Sequence, residues 1–264
     1  MAFDFHNDRE KYFEIQRLGA EQSIIPYLKH FAGLKKGTRV LEIGSHLGGN
    51  LRPFLKEGCH CIGVEIDKSH ADQSKINFAK EIAEGTVTII HSDIYDVTVG
   101  DLGGPVDLIF LKDSIEHIPD PERIIAHVSR YCSRESSVFF AFPPWQMPFG
   151  GHQQGAKSFF LSHCPWIHLL PKNVYSLLIK KLGESEAFHE FLMSCVATGI
   201  TIERFEKAVK ASPLKVVHKE SYLVAPIYKF KFGLPVIKLP VFFGGIPFVR
   251  NFYTTSIYYL LQLR

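Results

Sequence analysis

The sequence has few of the features that would place it outside ordinary globular proteins. It contains only five cysteines, an odd number, and no set of them has the spacing of a zinc site. We therefore expect reduced thiols in a cytoplasmic protein. The formal net charge is only +3. A charge this small does not indicate nucleic-acid binding, so we expect no nucleic-acid partner.

Long apolar runs are also missing. No uninterrupted apolar stretch reaches the roughly 18–20 residues of a membrane span. The charged segment MAFDFHNDREKYFE at the start has no apolar core of an export signal. Aromatic residues are instead concentrated at 225–253, where Lys229, Lys231 and Lys238 interrupt them. Because this combination suits an anionic lipid surface, we hypothesise a peripheral membrane contact there.

The composition and the apolar pattern predict an α/β protein. The 264 residues are 46% hydrophobic and 22% charged, which is typical of a chain with a packed core. Apolar strand-like runs alternate with segments of helical spacing from Thr38 to Phe142. This alternation is typical of parallel βαβ units, so we predict a Rossmann-like sheet with helices on both faces.

We expect a single unit over 1–264 with four parts. They are an N-terminal helical cover at 1–36, a ligand-binding core at 37–144, a cap insertion at 145–213, and the last two strands at 214–264 with an irregular aromatic segment at 225–253. Within them we predict one helix over Lys68–Glu84, a strand over Ser137–Phe142 and a strand over Thr254–Leu263. Asp120, Asn173 and Thr201 are expected to cap helices.

A glycine-rich turn, Gly44 to Gly49, follows the first predicted strand. Glycine at a strand end allows the backbone to approach a ligand closely. The dinucleotide-binding fingerprint also requires glycine at the third position of the turn, which His46 occupies here. Because this imidazole would crowd a pyrophosphate, a nicotinamide or flavin oxidoreductase is disfavoured.

Three acids lie at or near the ends of successive predicted strands: Glu42, Glu65 and Asp93. Sheets of this kind bind ligands at the carboxyl ends of their strands. A carboxylate at Glu65 can accept hydrogen bonds from both hydroxyls of a ribose, and Asp93 can accept one from an exocyclic amine. The three acids therefore suit a nucleoside with an amino-acid-like tail and no phosphate.

Four short motifs occur in register along the core: VLEIGSHLGG, GVEID, HSDI and DLIFLKDSIEHIPDPE. Together they resemble the class I S-adenosylmethionine-dependent methyltransferases over Gly37–Pro144. The resemblance implies a seven-stranded, mostly parallel sheet with an antiparallel last strand and a helical and aromatic cap. It also implies S-adenosylmethionine as cofactor and S-adenosylhomocysteine as product.

The resemblance also implies which residues hold the cofactor. Glu42, Gly44 and Gly48 would line its methionine and ribose side. Glu65 would hold the ribose hydroxyls, and Asp93 would hold the adenine. The full set of expected cofactor contacts is Glu42, Gly44, His46, Gly48, Glu65, Ile66, Asp93, Ile94, Leu111 and Asp113.

The loop after the fourth predicted strand contains Asp113, Glu116 and His117. It is similar to the Glu-His loop of one subgroup of these methyltransferases. In some ubiquinone-pathway O-methyltransferases such a loop binds a divalent ion, which makes these three residues an alternative metal site. In many other members the loop binds no metal, and we take the metal-free form as the expectation.

The segment FPPWQMPFGGHQQ after the fifth predicted strand resembles a bacterial branch of small-molecule methyltransferases. Its His152 is a candidate general base because an imidazole titrates near neutral pH. His117 is the second candidate for a catalytic role. The residues expected to contact the methyl acceptor are Trp145, Phe149, Gln153 and Tyr12.

The predicted reaction is an in-line methyl transfer, in the first interpretation to an oxygen of an apolar or amphiphilic small molecule. The density of aromatic residues in 145–213 and 225–253 favours such an acceptor. Two alternatives stay open at this point. The acceptor could be a sugar or glycan intermediate, or the protein could bind S-adenosylmethionine without turnover.

Overall fold

The computed structural model describes residues 8–264, and the first seven residues lie outside it. The polypeptide forms an eight-stranded sheet surrounded by helices. The strands are β1 (Arg39–Ile43), β2 (His60–Glu65), β3 (Val87–His91), β4 (Val106–Lys112), β5 (Cys132–Phe142), β6 (Leu214–Val224), β7 (Ile237–Lys238) and β8 (Ser256–Leu263).

The strand order is β3-β2-β1-β4-β5-β8-β6-β7. The five strands β1 to β5 pair with one another in parallel. β8 lies between β5 and β6 and runs antiparallel to both. The predicted mostly parallel sheet with an antiparallel last strand is confirmed. One detail differs, because the short β7 inside 225–253 adds an eighth strand at the edge.

Helices cover both faces of the sheet. They are α1 (Arg9–Gly19), α2 (Ile25–Phe31), α3 (Leu51–Lys56), α4 (Lys68–Asn77), α5 (Ala79–Ala83), α6 (Pro121–His127), α7 (Phe159–His163), α8 (Lys172–Lys181), α9 (Glu186–Thr198), α10 (Ile202–Ala211), α11 (Ile227–Phe232), α12 (Val241–Gly244) and α13 (Arg250–Tyr253). A π-helical turn, Ala20–Ile24, joins α1 to α2. On one face α2 and α3 pack on the sheet, and on the other α6 and α10 do so.

Two of the three predicted helix caps are confirmed. The side chain of Asp120 accepts the backbone N–H of Arg123, and that of Thr201 accepts the backbone N–H of Arg204. The prediction for Asn173 is wrong, because α8 already begins at Lys172 after Pro171. A proline suits this boundary because its fixed φ and missing N–H cost nothing at a helix start.

Three predicted boundaries also differ from the structure. The helix predicted over 68–84 is broken at Phe78, which leaves helical geometry to bury its ring completely. β5 begins at Cys132, earlier than predicted, because it continues past the apolar run as an exposed extension. β8 begins at Ser256 and not at Thr254.

The region 145–213 has a small apolar cluster of its own. Its buried members are Leu161, Ile167, Tyr175, Ile179 and Leu192. The segment 225–253 contains α11, α12 and β7, joined by irregular backbone. The predicted division of the chain at 144/145 and 213/214 stays a prediction. Among residues 8–264, no helix is long and apolar enough to cross a membrane.

Candidate active site

The glycine turn after β1 requires glycine at two positions. Gly44 and Gly48 both have positive φ values, +75° and +83°, which L side chains rarely adopt. Space is also limited at both positions. A Cβ on Gly44 would lie 2.9 Å from the Oγ of Ser114, and a Cβ on Gly48 would overlap the ring of Phe78. Gly44 is exposed, so its backbone can be approached by a ligand without an intervening side chain, whereas Gly48 is buried.

His46, the residue that departs from the fingerprint, is held at the side of this turn. Its φ is +50°. Its ring lies between His70 on α4 and Tyr12 on α1, with ring centroids 3.9 and 5.3 Å away. Its backbone N–H donates to the Oε2 of Glu65 at 2.7 Å. The imidazole thus packs against two helices that flank the turn.

Glu65 ends β2 and is almost completely buried. Its Oε2 accepts the N–H of His46, and its Oε1 accepts the N–H of Asp67 at 2.9 Å. A carboxylate offers about four acceptor positions, so each oxygen can accept one more hydrogen bond. Ile66 follows with a side chain that is 67% exposed, and so offers an apolar surface beside this carboxylate.

Asp93 and Ile94 lie at the same edge of the sheet as Glu65. β2 and β3 are parallel and pair Glu65 with His91, and the N–H of Ser92 donates to the Glu65 carbonyl at 3.1 Å. The Oδ1 of Asp93 accepts the N–H of Tyr95, which orients its carboxylate. Ile94 is buried next to it. Glu65 and Asp93 therefore lie at the carboxyl ends of two adjacent parallel strands.

Glu42 is buried within β1, two residues before Gly44. The amide nitrogen of Asn50 donates to its Oε1 at 2.8 Å. Its Oε2 has no hydrogen-bond partner among residues 8–264. Burial raises the pKa of this carboxyl to about 8, although the Asn50 hydrogen bond and the Lys112 charge act in the opposite direction. The unsatisfied oxygen marks a place for an additional donor or cation.

An ion pair that the sequence patterns did not reveal lies at the end of β4. The Nζ of Lys112 is 2.5 Å from the Oδ2 of Asp113, and the lysine is nearly buried. Burial alone would raise the pKa of Asp113, but the Lys112 charge outweighs it and keeps the pKa below its usual value. Leu111, just before this pair, is completely buried. A lysine at the end of an otherwise apolar strand was the available signal.

The helices α1 and α11 lie over this ion pair. Burial raises the pKa of the Tyr12 hydroxyl on α1 to about 12 and lowers the pKa of Lys231 on α11 to about 8. The ammonium of Lys231 is 5.9 Å from the centre of the Tyr12 ring. The negative charge of Asp113 acts on both groups. Tyr12 therefore lies close to the Lys112–Asp113 ion pair at the end of β4.

The Glu-His loop does not assemble as the alternative metal site. Asp113 is engaged by Lys112, whereas Glu116 is buried and neither of its carboxylate oxygens has a hydrogen-bond partner among residues 8–264. Burial, and then the charge of Asp113, raise the pKa of Glu116 well above its usual value. His117 turns instead to His152, with ring centroids 4.6 Å apart. Its Nδ1 is 3.9 Å from the Sγ of Cys195.

The loop after β5 places the ring of His152 beside that of His117 and buries Gln153, which the sequence predicts as an acceptor contact. Gln153 is completely buried, and its amide nitrogen lies 3.2 Å from the carbonyl of Pro148 and 3.4 Å from that of Cys164. This placement favours a role in holding the loop. Phe149 and Trp145 are half-buried, so they retain surface that an acceptor can contact.

His168 anchors the same loop. Its Nε2 is 2.7 Å from the carbonyl of Trp145, so this nitrogen carries the proton and donates. Burial lowers the pKa of His168 to about 4, which keeps the ring neutral. The backbone N–H of Trp145 in turn donates to the carbonyl of Ile200 at 2.8 Å. The cap is thereby fixed to the end of β5.

The chain is similar to known methyltransferases. A family model for the methyltransferase domain matches residues 15–170, which is more than half of the chain. An uncharacterized methyltransferase from Mycobacterium sp. (strain JLS) is 26% identical over 121 residues, 45% of this chain and 44% of that protein. A sterol 24-C-methyltransferase from Gibberella zeae is 26% identical over 105 residues, 39% of this chain and 27% of that protein. The chain thus matches less than half of the length of these curated relatives.

A solved structure shares the fold. The geranyl diphosphate C-methyltransferase from Streptomyces coelicolor A3(2), determined with Mg²⁺, geranyl diphosphate and S-adenosyl-L-homocysteine, superposes with a TM-score of 0.56. Its sequence is 12% identical, and the match covers 92% of this chain and 81% of that chain.

The residues at the strand ends fit the cofactor of that family. The backbone at Gly44 is exposed and has no room for a side chain, and Glu42 has one buried oxygen without a partner. Glu65 and Asp93 lie at one edge of the sheet, as two contacts to one nucleoside require. With the matched family model and the strand order, these observations lead to one conclusion. The chain belongs to the class I S-adenosylmethionine-dependent methyltransferases.

Proposed function

We propose that the protein transfers a methyl group from S-adenosylmethionine to an oxygen of a small apolar or amphiphilic molecule. The observation that carries this proposal is the position of two imidazoles at one cleft. His117 follows β4 and His152 follows β5, and their ring centroids are 4.6 Å apart. Both loops leave the carboxyl ends of neighbouring strands, where such sheets bind their ligands.

The cofactor would be held by groups that are already oriented. Glu65 would accept the ribose hydroxyls, because two backbone N–H groups fix its carboxylate in place. Asp93 would accept a hydrogen bond from the exocyclic amine of adenine, and the adenine ring would lie between Ile66 and Ile94. Glu42 and the exposed backbone at Gly44 would face the methionine part. The Tyr12 ring and the Asp113 carboxylate would close the site from α1 and β4.

The chain's own contribution to the reaction is mainly positioning. The cofactor supplies a methyl group on a sulfonium, which is already a good leaving group. Holding the acceptor in line can supply on the order of 7–11 kcal/mol of the barrier. His152 would take the proton from the acceptor hydroxyl, which contributes about 10²–10⁴-fold. The cap, fixed by His168 to Trp145, would exclude water from the cleft.

The surroundings of His152 favour an apolar acceptor. Phe191 lies 6.0 Å from His152 and 5.7 Å from His117, measured between ring centroids. Trp145 and Phe149 add further half-buried aromatic surface on the same loop. Two of the similar proteins are named for a sterol and for geranyl diphosphate, which are apolar or amphiphilic compounds.

We also propose that 225–253 contacts a lipid surface. Val241, Phe242 and Phe248 are 92%, 76% and 71% exposed, respectively. Two of the three predicted lysines contribute less than expected to this surface, whereas Lys229 is exposed. Lys231 lies inside the cleft beside Tyr12, and Lys238 is paired with Glu220 at 2.9 Å. The exposed aromatic side chains therefore carry the proposal, and an amphiphilic acceptor could enter from the lipid.

The test uses the full chain and S-adenosylmethionine that carries tritium in its methyl group. The protein is incubated with bacterial metabolite extract, which is then separated into organic and aqueous fractions. Label in the organic fraction that hot hydriodic acid releases as methyl iodide supports O-methylation of an apolar acceptor, because carbon-bound methyl groups are not released. Label only in the aqueous fraction favours the sugar alternative. Tight S-adenosylhomocysteine binding without any transfer favours the binding module.

The role of His152 is tested with the same assay. His152→Asn should reduce methyl transfer by about 10²–10⁴-fold and leave S-adenosylhomocysteine affinity unchanged. His163→Asn is the matched control, because His163 is an exposed histidine on α7 of the cap. Equal transfer rates for the two variants would rule out His152 as the base.

A further inference from the structure

A histidine–histidine–cysteine cluster lies where the cap meets the cleft. His117, His152 and Cys195 each offer one ligand atom, and these three atoms all lie within 4.8 Å of one another. They come from three separate parts of the fold: the loop after β4, the loop after β5, and α9 of the cap. In the described residues 8–264, this is the group of at least three His, Cys, Asp or Glu side chains that lie close enough together to hold a metal ion.

The spacing is close to that of a tetrahedral metal site. Metal–sulfur and metal–nitrogen bonds of about 2.3 and 2.1 Å place ligand atoms about 3.6 Å apart. The Sγ of Cys195 and the Nδ1 of His117 are 3.9 Å apart. Small side-chain rotations are therefore enough to bring the three atoms to coordination distance.

The surroundings provide both space and a buried carboxyl group. A small cavity of about 10 Å³ is bordered by Glu116, His152 and Cys195. This volume is close to that of a single water-sized probe. Glu116 is buried, and its two carboxylate oxygens have no partner in the described part of the chain. A buried carboxylate without partners is costly, and a neighbouring cation would offset that cost.

We propose that His117, His152 and Cys195 bind a transition-metal ion of the Zn²⁺ type, with Glu116 as the neighbouring carboxylate. Imidazole and thiolate ligands select Zn²⁺ and related ions over Mg²⁺ or Ca²⁺, which prefer oxygen. Three protein ligands leave a fourth position, as in catalytic zinc sites. This site differs from the Asp113, Glu116 and His117 set, because Asp113 is engaged by Lys112.

The metal site has a consequence for the proposed function. When the ion is bound, it replaces the free His152 imidazole in the base role proposed above. The acceptor would then bind to the ion as an oxyanion, having lost its proton to bulk water on entering the site, before its oxygen takes the methyl group. Only this role of the ion in the reaction depends on the proposed function. The binding of the ion does not depend on turnover.

The test is a spectroscopic titration with Co²⁺, which replaces Zn²⁺ and reports on its ligands. The full chain is treated with a chelator, dialysed, and titrated with Co²⁺ under reducing conditions. We expect one ion per chain and a thiolate-to-cobalt charge-transfer band in the near ultraviolet. Cys195→Ser should remove this band and weaken binding at least about 100-fold. Cys164→Ser should leave both unchanged, because Cys164 lies outside the cluster.

Two further measurements keep the outcomes distinct. His117→Ala should also weaken Co²⁺ binding, and Zn²⁺ should displace Co²⁺ from the unmodified protein. Absence of stoichiometric Co²⁺ binding, or a band that survives Cys195→Ser, overturns the proposal. S-adenosylhomocysteine binding is measured on the same metal-free sample. Its loss would count against the proposed function, whereas its retention without Co²⁺ binding would count against the metal site alone.

Discussion

The carboxylate of Glu65 accepts the backbone N–H of His46 at 2.7 Å, which ties the end of β2 to the turn after β1. This bond explains how a bulky residue is accommodated in a turn that normally favours glycine. The left-handed backbone of His46 points its N–H at Glu65 and its ring at Tyr12 and His70. The same bond fixes the carboxylate that is proposed to hold a ribose.

The first prediction concerns this carboxylate. Glu65→Gln should weaken S-adenosylhomocysteine binding by about 10–100-fold, because hydrogen bonds to a charged acceptor contribute about 1.5–3 kcal/mol. An amide also presents N–H groups to one of the two backbone donors at His46 and Asp67. Isothermal titration calorimetry measures the change. Glu135→Gln on exposed surface is the control, and equal affinities would refute the ribose assignment.

The strand-end acids could be predicted from the sequence because they depend on local order. Each acid follows an apolar run, and parallel strands bring such ends to one edge of the sheet. Glu65 and Asp93 are therefore placed together by the pairing of β2 with β3. The extra strand β7 could not be predicted, because a two-residue strand depends on a neighbouring edge and has no periodicity of its own.

The contacts that cap residues make in the site cannot be predicted from local order in this way. Cys195 lies on α9, far from His117 in sequence, and meets it only through the packing of the cap. Similarly, a lysine at the end of an apolar strand is visible in the sequence, but its burial depends on its partner Asp113. The position of Gln153 beside His152 in the sequence predicts an acceptor contact. The loop instead folds so that Gln153 points inward to backbone carbonyls.

The second prediction concerns pH and Glu42. Burial raises the pKa of Glu42 to about 8, so the folded chain keeps a proton that the unfolded chain has lost above about pH 4.5. Stability from this group is therefore fully present below about pH 4.5 and falls as pH rises towards 8, by on the order of 1 kcal/mol per pH unit. Glu42→Gln removes this dependence, because an amide cannot ionise.

Thermal unfolding at several pH values checks this prediction. The Tm of Glu42→Gln minus that of the unmodified protein should become more positive between pH 5 and pH 8.5. A shift of about 2–4 °C is expected for each kcal/mol in a chain of this size. Glu135→Gln should show a constant difference over the same range. A difference for Glu42→Gln that falls with rising pH would contradict the assignment.

The third prediction concerns the contact between α1 and the glycine turn. A Cβ on Gly49 would lie 2.7 Å from the carbonyl oxygen of Phe13 and 2.8 Å from the Cβ of Gln16, both on α1. Gly49→Ala must therefore push α1 away, at a cost of about 1–3 kcal/mol. We expect faster tryptic cleavage after Lys11 and Arg17, and about tenfold weaker S-adenosylhomocysteine binding.

Gly100→Ala is the matched control for this variant. A Cβ on Gly100 would meet nothing closer than the Oγ1 of Thr98 at 3.5 Å, which is ordinary contact. Neither glycine has a positive φ, so alanine fits the backbone at both positions. If cleavage of α1 proceeds equally in both variants and cofactor affinity is unchanged, α1 does not serve as a cover for the site.

The fourth prediction concerns the exposed aromatic side chains of 225–253. Phe242 and Phe248 should insert into lipid, and full burial of each phenylalanine contributes about 1.5–3 kcal/mol. The double variant Phe242→Ser/Phe248→Ser should therefore bind vesicles of phosphatidylcholine and phosphatidylglycerol at least about 10-fold more weakly in a co-sedimentation assay.

Phe159→Ser on the cap, where Phe159 is 77% exposed, controls for exposed aromatic surface in general. Equal losses for both variants would indicate non-specific adsorption, and no binding by the unmodified protein would remove the membrane contact altogether. High salt should also weaken binding in part, because the exposed Lys229 is hydrogen-bonded to the uncharged Gln22, whereas Lys238 is paired with Glu220.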